Sequence, residues 1–590
     1  MCGIFCILNN NHKINNIDNY TEFMKGQARG PESSKFIKKY MKMDIGFHRL
    51  AINGLNEESN QPLVFNDIIL ICNGEIYNYK KLYELMDVNP NTGSDCEVII
   101  HLYLKYGIEQ TLNMLDGVFA FVLYDNRINN YDLNSKVYVA RDPYGVRPLY
   151  ILKYKKYETH CSNIIGFASE LKCLSNIYNE LIRSENPDNI NYTLYQFTPG
   201  TYSIFNYGYM VHSIWEPYQE NIKYIIPSFP NIVYSNNTYN IYKTLNKFLR
   251  EAVYKRCENT ERPVACLLSG GLDSSLITGY VTKYCWINNL KKVDTYSIGL
   301  SGSEDLKYAR IVADYLKTNH HEILVTEEEM FRAIPEVIKA IESYDTTTVR
   351  ASIGNYLLGK YIASHSENKV VFNGDGSDEL FGGYLYMNKC SNSIEFDKET
   401  RRLLKDIHLF DVLRSDKCIS SHGLEPRTPF LDKTFVNYVL SLPIKLKNHN
   451  VNMMCEKYLL RKSIMIYNPD IIPQEILWRK KEAFSDGVTS KSRSLYQILQ
   501  ELIAEELNKE DKSENRWQPS IDTEKYYYKM LFEKYYPNCS HILPYYWMPK
   551  YVENVTDPSA RTLGEIYHKN ISDKVDAVIN SNPSDSLGVS

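Results

Sequence analysis

The chain has 590 residues, more than one hydrophobic core can organise, so two or more domains are expected. Its 44% hydrophobic and 23% charged residues are ordinary for a globular protein, and a net charge of −4 argues against a nucleic-acid binder, which would carry a basic patch. No run approaches the roughly 20 apolar residues of a membrane span. The 13 cysteines, odd in number and without a Cys-x-x-Cys pair, read as free thiols of a reducing cytoplasm.

Met1-Cys2-Gly3-Ile4-Phe5-Cys6-Ile7-Leu8 is apolar but short and has no basic leader, so it reads as a buried strand rather than a signal peptide. Ile68–Cys72, Val118–Tyr124 and Val137–Ala140 are apolar runs bounded by Asn, Asp or Gly, which predicts strands. Between them, Asp95–Tyr106 has apolar residues at 98, 99, 102 and 103, a helical spacing. Strands apolar throughout are buried on both faces, so residues 1–215 are expected to form a layered α/β sandwich. Pro217, Pro227, Pro230 and an Asn-Asn pair mark residues 216–236 as a linker.

From 237 to 555 the rhythm alternates. A helix (Tyr239–Arg256) precedes a strand (Val264–Leu268), a Gly-rich turn and a helix from Ser274. A strand (Thr295–Leu300), a helix (Asp305–Leu316) and a strand (His321–Val325) follow; a later strand (Lys369–Asn373) ends in a second Gly-rich turn. This alternation predicts a doubly wound parallel sheet with helical additions. Ligands of such sheets sit at the carboxyl ends of the strands, where both turns lie. There are no internal repeats, and the polar tail, 556–590, is expected to fray.

Once Met1 is removed, Cys2 carries both a thiol and a free α-amine. The amine, with an ordinary pKa of about 7.7–8.0, can act as base for its own thiol, without a histidine. On its own, a cysteine at position 2 is a small buried residue. Asn73-Gly74-Glu75 follows a buried strand and could offer a side-chain amide and a backbone N–H to an oxyanion. Arg29-Gly30-Pro31, Arg49 and Gly93-Ser94-Asp95 add charges for the two ends of an amino acid. Singly, these motifs are a hairpin turn, a loop and a helix cap.

In this order they resemble the class II glutamine amidotransferase domain. The resemblance implies an α/β/β/α sandwich of the N-terminal-nucleophile hydrolase type. Cys2 would attack the glutamine amide, with Asn73 and Gly74 as the oxyanion hole. Arg49 would hold the glutamine carboxylate, Glu75 and Asp95 its amino group, with Asn73 also in contact. The family usually reads His-Arg-Gly-Pro-Asp where this chain has Ala28-Arg29-Gly30-Pro31-Glu32.

Leu267-Leu268-Ser269-Gly270-Gly271-Leu272-Asp273-Ser274-Ser275 joins a strand to a helix. Its glycines let backbone N–H groups close around an anion at a helix start. Gly-Lys-Ser/Thr is absent, so it is not a Walker A loop, and without lysine it suits a released pyrophosphate. The pattern is the signature of ATP pyrophosphatases, which adenylate a carbonyl oxygen. Joining a carboxylate to AMP supplies the leaving group that ammonia can displace. ATP and a dicarboxylic acid together call for Mg²⁺ and several cations. Asn373-Gly374-Asp375-Gly376-Ser377-Asp378-Glu379 could present acids to metal and ammonia, and Arg350 a cation to a substrate carboxylate. Lys457 and Arg461, at i and i+4, read by themselves as a solvated basic face.

Over nearly the whole chain the sequence resembles the glutamine-hydrolysing asparagine synthetase family, through Glu342–Ser352, Gly376–Tyr384, Arg427–Asp432, Trp478–Val488, Tyr546–Lys550 and Asp557–Arg561. The last two look like the eukaryotic form. The resemblance implies a cytoplasmic ligase taking glutamine, aspartate and Mg-ATP, with a protected ammonia passage between its halves and dimerisation as a family expectation. Leu267, Ile298 and Gly374 would line the adenosine pocket. Ser269, Gly270, Gly271, Asp273, Ser274 and Ser275 would hold pyrophosphate, Asp273 and Asp378 would serve Mg²⁺, and Lys457 would meet the phosphates. Arg350 would bind aspartate, and Asp375 would act in amination beside ATP. The family usually reads Ser-Gly-Glu-Gly-Ser-Asp-Glu here. Asp375 therefore withdraws a carboxylate by about 1.5 Å, and small misplacements are costly in rate. Two alternatives remain open: a glutaminase with an impaired synthetase half, for which Asp375 argues, and a non-catalytic scaffold.

Overall fold

Strands buried on both faces must send alternate side chains into two different cores, and those of the first half do so. The computed structural model describes residues 1–10, 17–127, 135–155, 163–183, 191–208, 213–230, 238–449, 455–490, 493–510, 516–553 and 555–563. One six-stranded antiparallel sheet runs β10 (Tyr192–Gln196), β8 (Tyr150–Tyr154), β9 (Ile165–Ala168), β1 (Gly3–Leu8), β3 (Met43–Arg49), β2 (Ser33–Tyr40). The other runs β12 (Trp215–Lys223), β11 (Thr201–Tyr207), β7 (Ser135–Arg141), β6 (Gly117–Asp125), β5 (Ile68–Ile76), β4 (Leu63–Phe65).

Ile4, Cys6 and Leu8 of β1 meet Ile69 and Ile71 of β5 and Val122 of β6 between the sheets. Phe5 and Ile7 turn outward, into the core that holds Ile177 of the helix Ser175–Arg183. On the far side, Leu70, Cys72, Phe119 and Phe121 pack with the helices Tyr79–Met86 and Val98–Met114. The two-residue period of apolar strands thus yields an α/β/β/α sandwich, each large buried side chain contributing about 1.5–3 kcal/mol. The second of these helices breaks at Gly107 (φ 76°), one residue after the predicted end.

Residues 216–223, expected as linker, are a strand. Strand β12 is the outermost of its sheet, where Pro217 removes no needed donor, and its pairing with β11 shifts register near Ile204. Residues 231–237 of the expected linker, and 564–590 of the expected tail, lie outside the described residues.

The second half is built on a five-stranded parallel sheet, β15 (Asn319–Leu324), β14 (Asp294–Gly299), β13 (Val264–Leu267), β16 (Val370–Phe372), β17 (Glu425–Arg427). From β13 the chain winds outward through β14 and β15, then returns to the other side of β13 for β16 and β17. The switch point therefore falls between β13 and β16, and a Gly-rich turn follows each.

The halves share cores: Leu50, Ile52, Val118 and Val146 pack with Leu245, Leu249 and Phe430. Charges also cross. Glu342, left-handed at φ 57° after the helix Glu327–Ile341, accepts from the N–H groups of Leu171 (2.7 Å) and Lys172 (3.0 Å) and pairs with Lys417. Among the described residues no helix is long and apolar enough to cross a membrane.

Candidate active site

The antiparallel pairing of β1 with β9 sets Ser169 beside the start of the chain. Its Oγ accepts from the Ile4 N–H (3.1 Å) and from Asn73 Nδ2 (3.5 Å), which ties β5 of one sheet to β1 of the other. Asn73 is fully buried and its Oδ1 has no partner among the described residues. At Gly74 a Cβ would stand 2.6 Å from Val118 O, so only glycine lets the strands approach this closely. The Cys2 thiol donates to Leu50 O (3.6 Å); burial pushes its pKa up, against the pull of the adjacent N-terminal ammonium. His48, opposite Gly3, has both ring nitrogens engaged, with Phe23 O (2.9 Å) and Ser34 Oγ (2.7 Å).

Met1 is buried, and its ammonium donates to Leu424 O of the second half (3.3 Å). Burial pulls that amine down to about 5. With Met1 attached, the Cys2 nitrogen is a peptide amide and cannot take the thiol proton. Arg49 donates to Asn56 O (2.9 Å), Asn60 Oδ1 (2.6 Å) and Gly54 O. Glu75 accepts from Asn53 (2.8 Å) and Asn259 (2.9 Å) and pairs with Arg427 (3.3 Å); burial, with Glu425 and Asp95 nearby, holds its carboxyl well above the usual range. Asp95 accepts from the Ile76 N–H (2.6 Å), and burial pushes it up to about 6.

At the switch point of the second half lies a cleft of about 200 Å³. Leu267, Ser269, Gly271, Asp273, Ser274 and Ile298 line one side; Gly374, Asp375, Asp378 and Lys457 line another. Ser269 and Ser274 lock the first turn through their hydroxyls (3.0 Å). The second turn presses against it: a Cβ on Gly374 would come 2.8 Å from Asp273. Lys457 meets Asp273 (2.5 Å) and Asp378 (2.7 Å), and Lys481 meets Asp378 (2.6 Å). Burial alone would raise Asp378, but the two lysines outweigh it and hold the carboxyl well below the usual range. Lys457 is itself left-handed (φ 57°), a conformation costing about 1–3 kcal/mol that persists where the surroundings impose it.

Residues 1–211 match the glutamine amidotransferase domain family, and residues 244–396 and 389–553 match the asparagine synthase family. Asparagine synthetase (glutamine-hydrolyzing) of Gallus gallus is 40% identical over 583 residues, covering 95% of this chain and 98% of that protein. Those of Rattus norvegicus and Homo sapiens are each 38% identical, with the same coverage. The chain belongs to the asparagine synthetase family.

Gly270, Ser275 and Arg350 are not among the residues that line the cleft. Gly270 (φ 69°) lies so close to Tyr308 and Ala309 that a Cβ would come 2.4 Å from the backbone, and Ser275 is buried inside the helix Leu272–Ile287. Arg350 is held elsewhere by ion pairs. Its guanidinium forms paired bonds to Glu524 (2.8 and 2.5 Å) and Asp557 (2.7 and 2.7 Å), and all three residues are buried. Arg461 closes on Glu456 (2.6 Å) and is neither a solvated face nor a free cation. Sequence reasoning also missed residues of the cleft. Tyr384, Asp411 and Arg414 line it beside Asp375. The one local signal was an Asp and an Arg at i, i+3 flanking Val412 and Leu413, a charged pair in an apolar helix start.

Proposed function

We propose that the chain makes asparagine from aspartate, using ATP and ammonia drawn from glutamine. Loss of Met1 frees the Cys2 amine to take the thiol proton, and the thiolate attacks the glutamine amide. Asn73 Nδ2 and the Gly74 N–H receive the oxyanion, Arg49 the carboxylate, and Glu75 and Asp95 the ammonium group. Ammonia leaves as the tetrahedral adduct collapses to a thioester, and water then hydrolyses the thioester to glutamate.

In the second half, Leu267, Ile298 and Gly374 hold adenosine, and Ser269, Gly271, Ser274 and Lys457 face the phosphates. The donor set fits Mg²⁺, which takes one or two carboxylates and completes its shell with water and phosphate oxygens. Asp273 and Asp378 already converge on one positive group, Lys457 Nζ. When bound, the ion supplies neutralisation of the departing pyrophosphate. The aspartate β-carboxylate displaces pyrophosphate from ATP, and ammonia then displaces AMP. Asp375, raised by burial and restrained by Arg414, is suited to take the proton that amination releases.

The observation that carries this reading is the continuity between the two sites. Arg29 Nε donates to Cys2 O (2.9 Å) and Arg29 pairs with Asp416 (2.7 Å). Asp416 lies on the helix Asp411–Ser420, whose Arg414 bonds Asp375 (3.3 Å). Buried contacts run from the backbone of the nucleophile to the amination site, so the two sites are held in a fixed relation, as a reaction that uses both requires. The test is incubation with glutamine, aspartate and Mg-ATP, quantifying asparagine, glutamate, AMP and pyrophosphate together. Asparagine, AMP and pyrophosphate in similar amounts are expected. Glutamate without asparagine or AMP would leave only the first half active and remove the synthetase reading.

A further inference from the structure

The Glu75 carboxylate that would take the glutamine ammonium is held largely from outside its own half. Its Oε2 accepts from Asn53 Nδ2 (2.8 Å) and Asn259 Nδ2 (2.9 Å) and pairs with Arg427 Nη2 (3.3 Å), so two of its three partners come from the second half. Its Oε1 takes no partner among the described residues and is not closed off as a buried orphan. One oxygen is therefore fixed by the protein, and the other is left for a cation.

Of the two partners from the second half, Arg427 has other work. Its Nε bonds Glu425 (2.8 Å) and its Nη1 bonds Arg256 O. Asn259 differs. It follows the helix Thr238–Glu258 and is 4% exposed. The bond to Glu75 is the one hydrogen bond of its side chain among the described residues, and its Oδ1 is buried there without a partner. A buried carbonyl oxygen without a donor is destabilising, so stability alone does not account for an amide at this place. The backbone beside it is pinned to the first half along four successive residues. Ala51 O accepts from Arg262 Nε (2.8 Å), Ile52 O from the Glu261 N–H (3.0 Å) and Asn259 O from Asn53 Nδ2 (3.4 Å), while the Gly54 N–H donates to Glu261 Oε1 (2.6 Å). The carbonyls of Asn53 and Gly54 in turn hold the Arg49 guanidinium.

We propose that Asn259, a residue of the half that carries the ATP cleft, is a positioning residue of the glutamine site. It acts through Glu75, fixing Oε2 so that Oε1 faces the α-ammonium of glutamine. This inference rests on the reading above, in which Glu75 and Arg49 hold the two ends of glutamine, and adds that the first half does not complete that site by itself. An amide suits the task, because it donates to the carboxylate without neutralising the charge that the ammonium needs.

The test uses the full chain and reads ammonia release from glutamine or from 4-carbamoylbutanoate, which keeps the amide and the carboxylate but lacks the α-ammonium. Asn259→Leu keeps the branched outline of the side chain and removes the donor. KM for glutamine should rise by about 10-fold or more, with kcat falling by less than about threefold. The preference for glutamine over 4-carbamoylbutanoate, taken as a ratio of kcat/KM values, should fall by a similar factor, because the variant and the analogue each remove one side of the same recognition. Asparagine formation from added ammonia should stay within about twofold of wild type, and Tm within about 5 °C. A variant that keeps the wild-type preference overturns the proposal. So does one in which ammonia-dependent synthesis falls as far as glutamine hydrolysis, since Asn259 would then only fasten the halves together. If Asn259→Leu does not melt cooperatively, Asn259→Ala carries the same comparison. A wild type that releases no ammonia from glutamine removes the glutaminase reading and this proposal with it.

Discussion

The two halves hold charge away from water by different means. In the first, Asn73 and Glu75 sit on one face of a single strand, and Glu75 is secured by amides and a guanidinium from Asn53, Asn259 and Arg427. In the second, the charges arrive from separate segments, the turn after β13, the turn after β16, the start of the helix Asp411–Ser420, Lys457 and Lys481. The electrostatic outcome differs in one respect. Burial raises the carboxyls of Glu75 and Asp95, as it does that of Asp375 in the second half, whereas lysines depress that of Asp378. A strand fixes its neighbours by covalent geometry, so a site made on it can be dry and nearly complete before a ligand arrives. A site gathered at a switch point is kept together by ion pairs that a ligand's own charges can replace.

Four experiments sharpen or break this contrast. Cys2→Ala should lower glutamine-dependent asparagine formation by at least about 1000-fold, while synthesis from added ammonia continues. Equal loss from both nitrogen sources would mean the halves are not separable in this way. Arg350→Ala should destabilise the fold by about 3–5 kcal/mol in urea unfolding, because it leaves Glu524 and Asp557 buried without their partner. In whatever fraction remains folded, KM for aspartate should stay near its wild-type value, the reverse of what direct substrate binding requires. Lys457→Ala should reduce ATP-dependent turnover by about 100-fold by leaving Asp273 and Asp378 facing each other, and hydrolysis of glutamine alone serves as its internal control. The smallest effect concerns pH. Only ionised Asp95 attracts the glutamine ammonium, and burial pushes its pKa up to about 6. KM for glutamine should therefore fall as pH rises through about 6, and Asp95→Asn should remove that dependence. A KM flat with pH in the wild type would mean that Asp95 does not face the ligand's charge.

Legibility followed chain distance. Strands β1, β5, β6 and β7 were readable because a run of apolar side chains satisfies two cores at once. Both glycine turns were readable because the positive φ of Gly270 in the first and of Gly376 in the second demands glycine locally. Strand β12 was not, since an edge strand with Pro217 and mostly exposed residues looks like linker. Strand β17, three residues with Pro426 at its centre, carries no pattern at all, yet it brings Glu425 and Arg427 to Glu75 and Arg147.

The sequence by itself determined the apolar strands of the first half, the strand–helix alternation of the second, the family, and the two glycine turns. These depend on residues within one strand or one turn of each other. Only the tertiary structure decided which charge meets which. It engaged Arg350 with residues 174 and 207 positions away, buried Ser275 inside its helix, and set Arg414 beside Asp375. A guanidinium has the same letter whether its donors are satisfied or free. What distinguishes the two is the set of partners that packing brings within about 3 Å, and that set is spread across the whole chain.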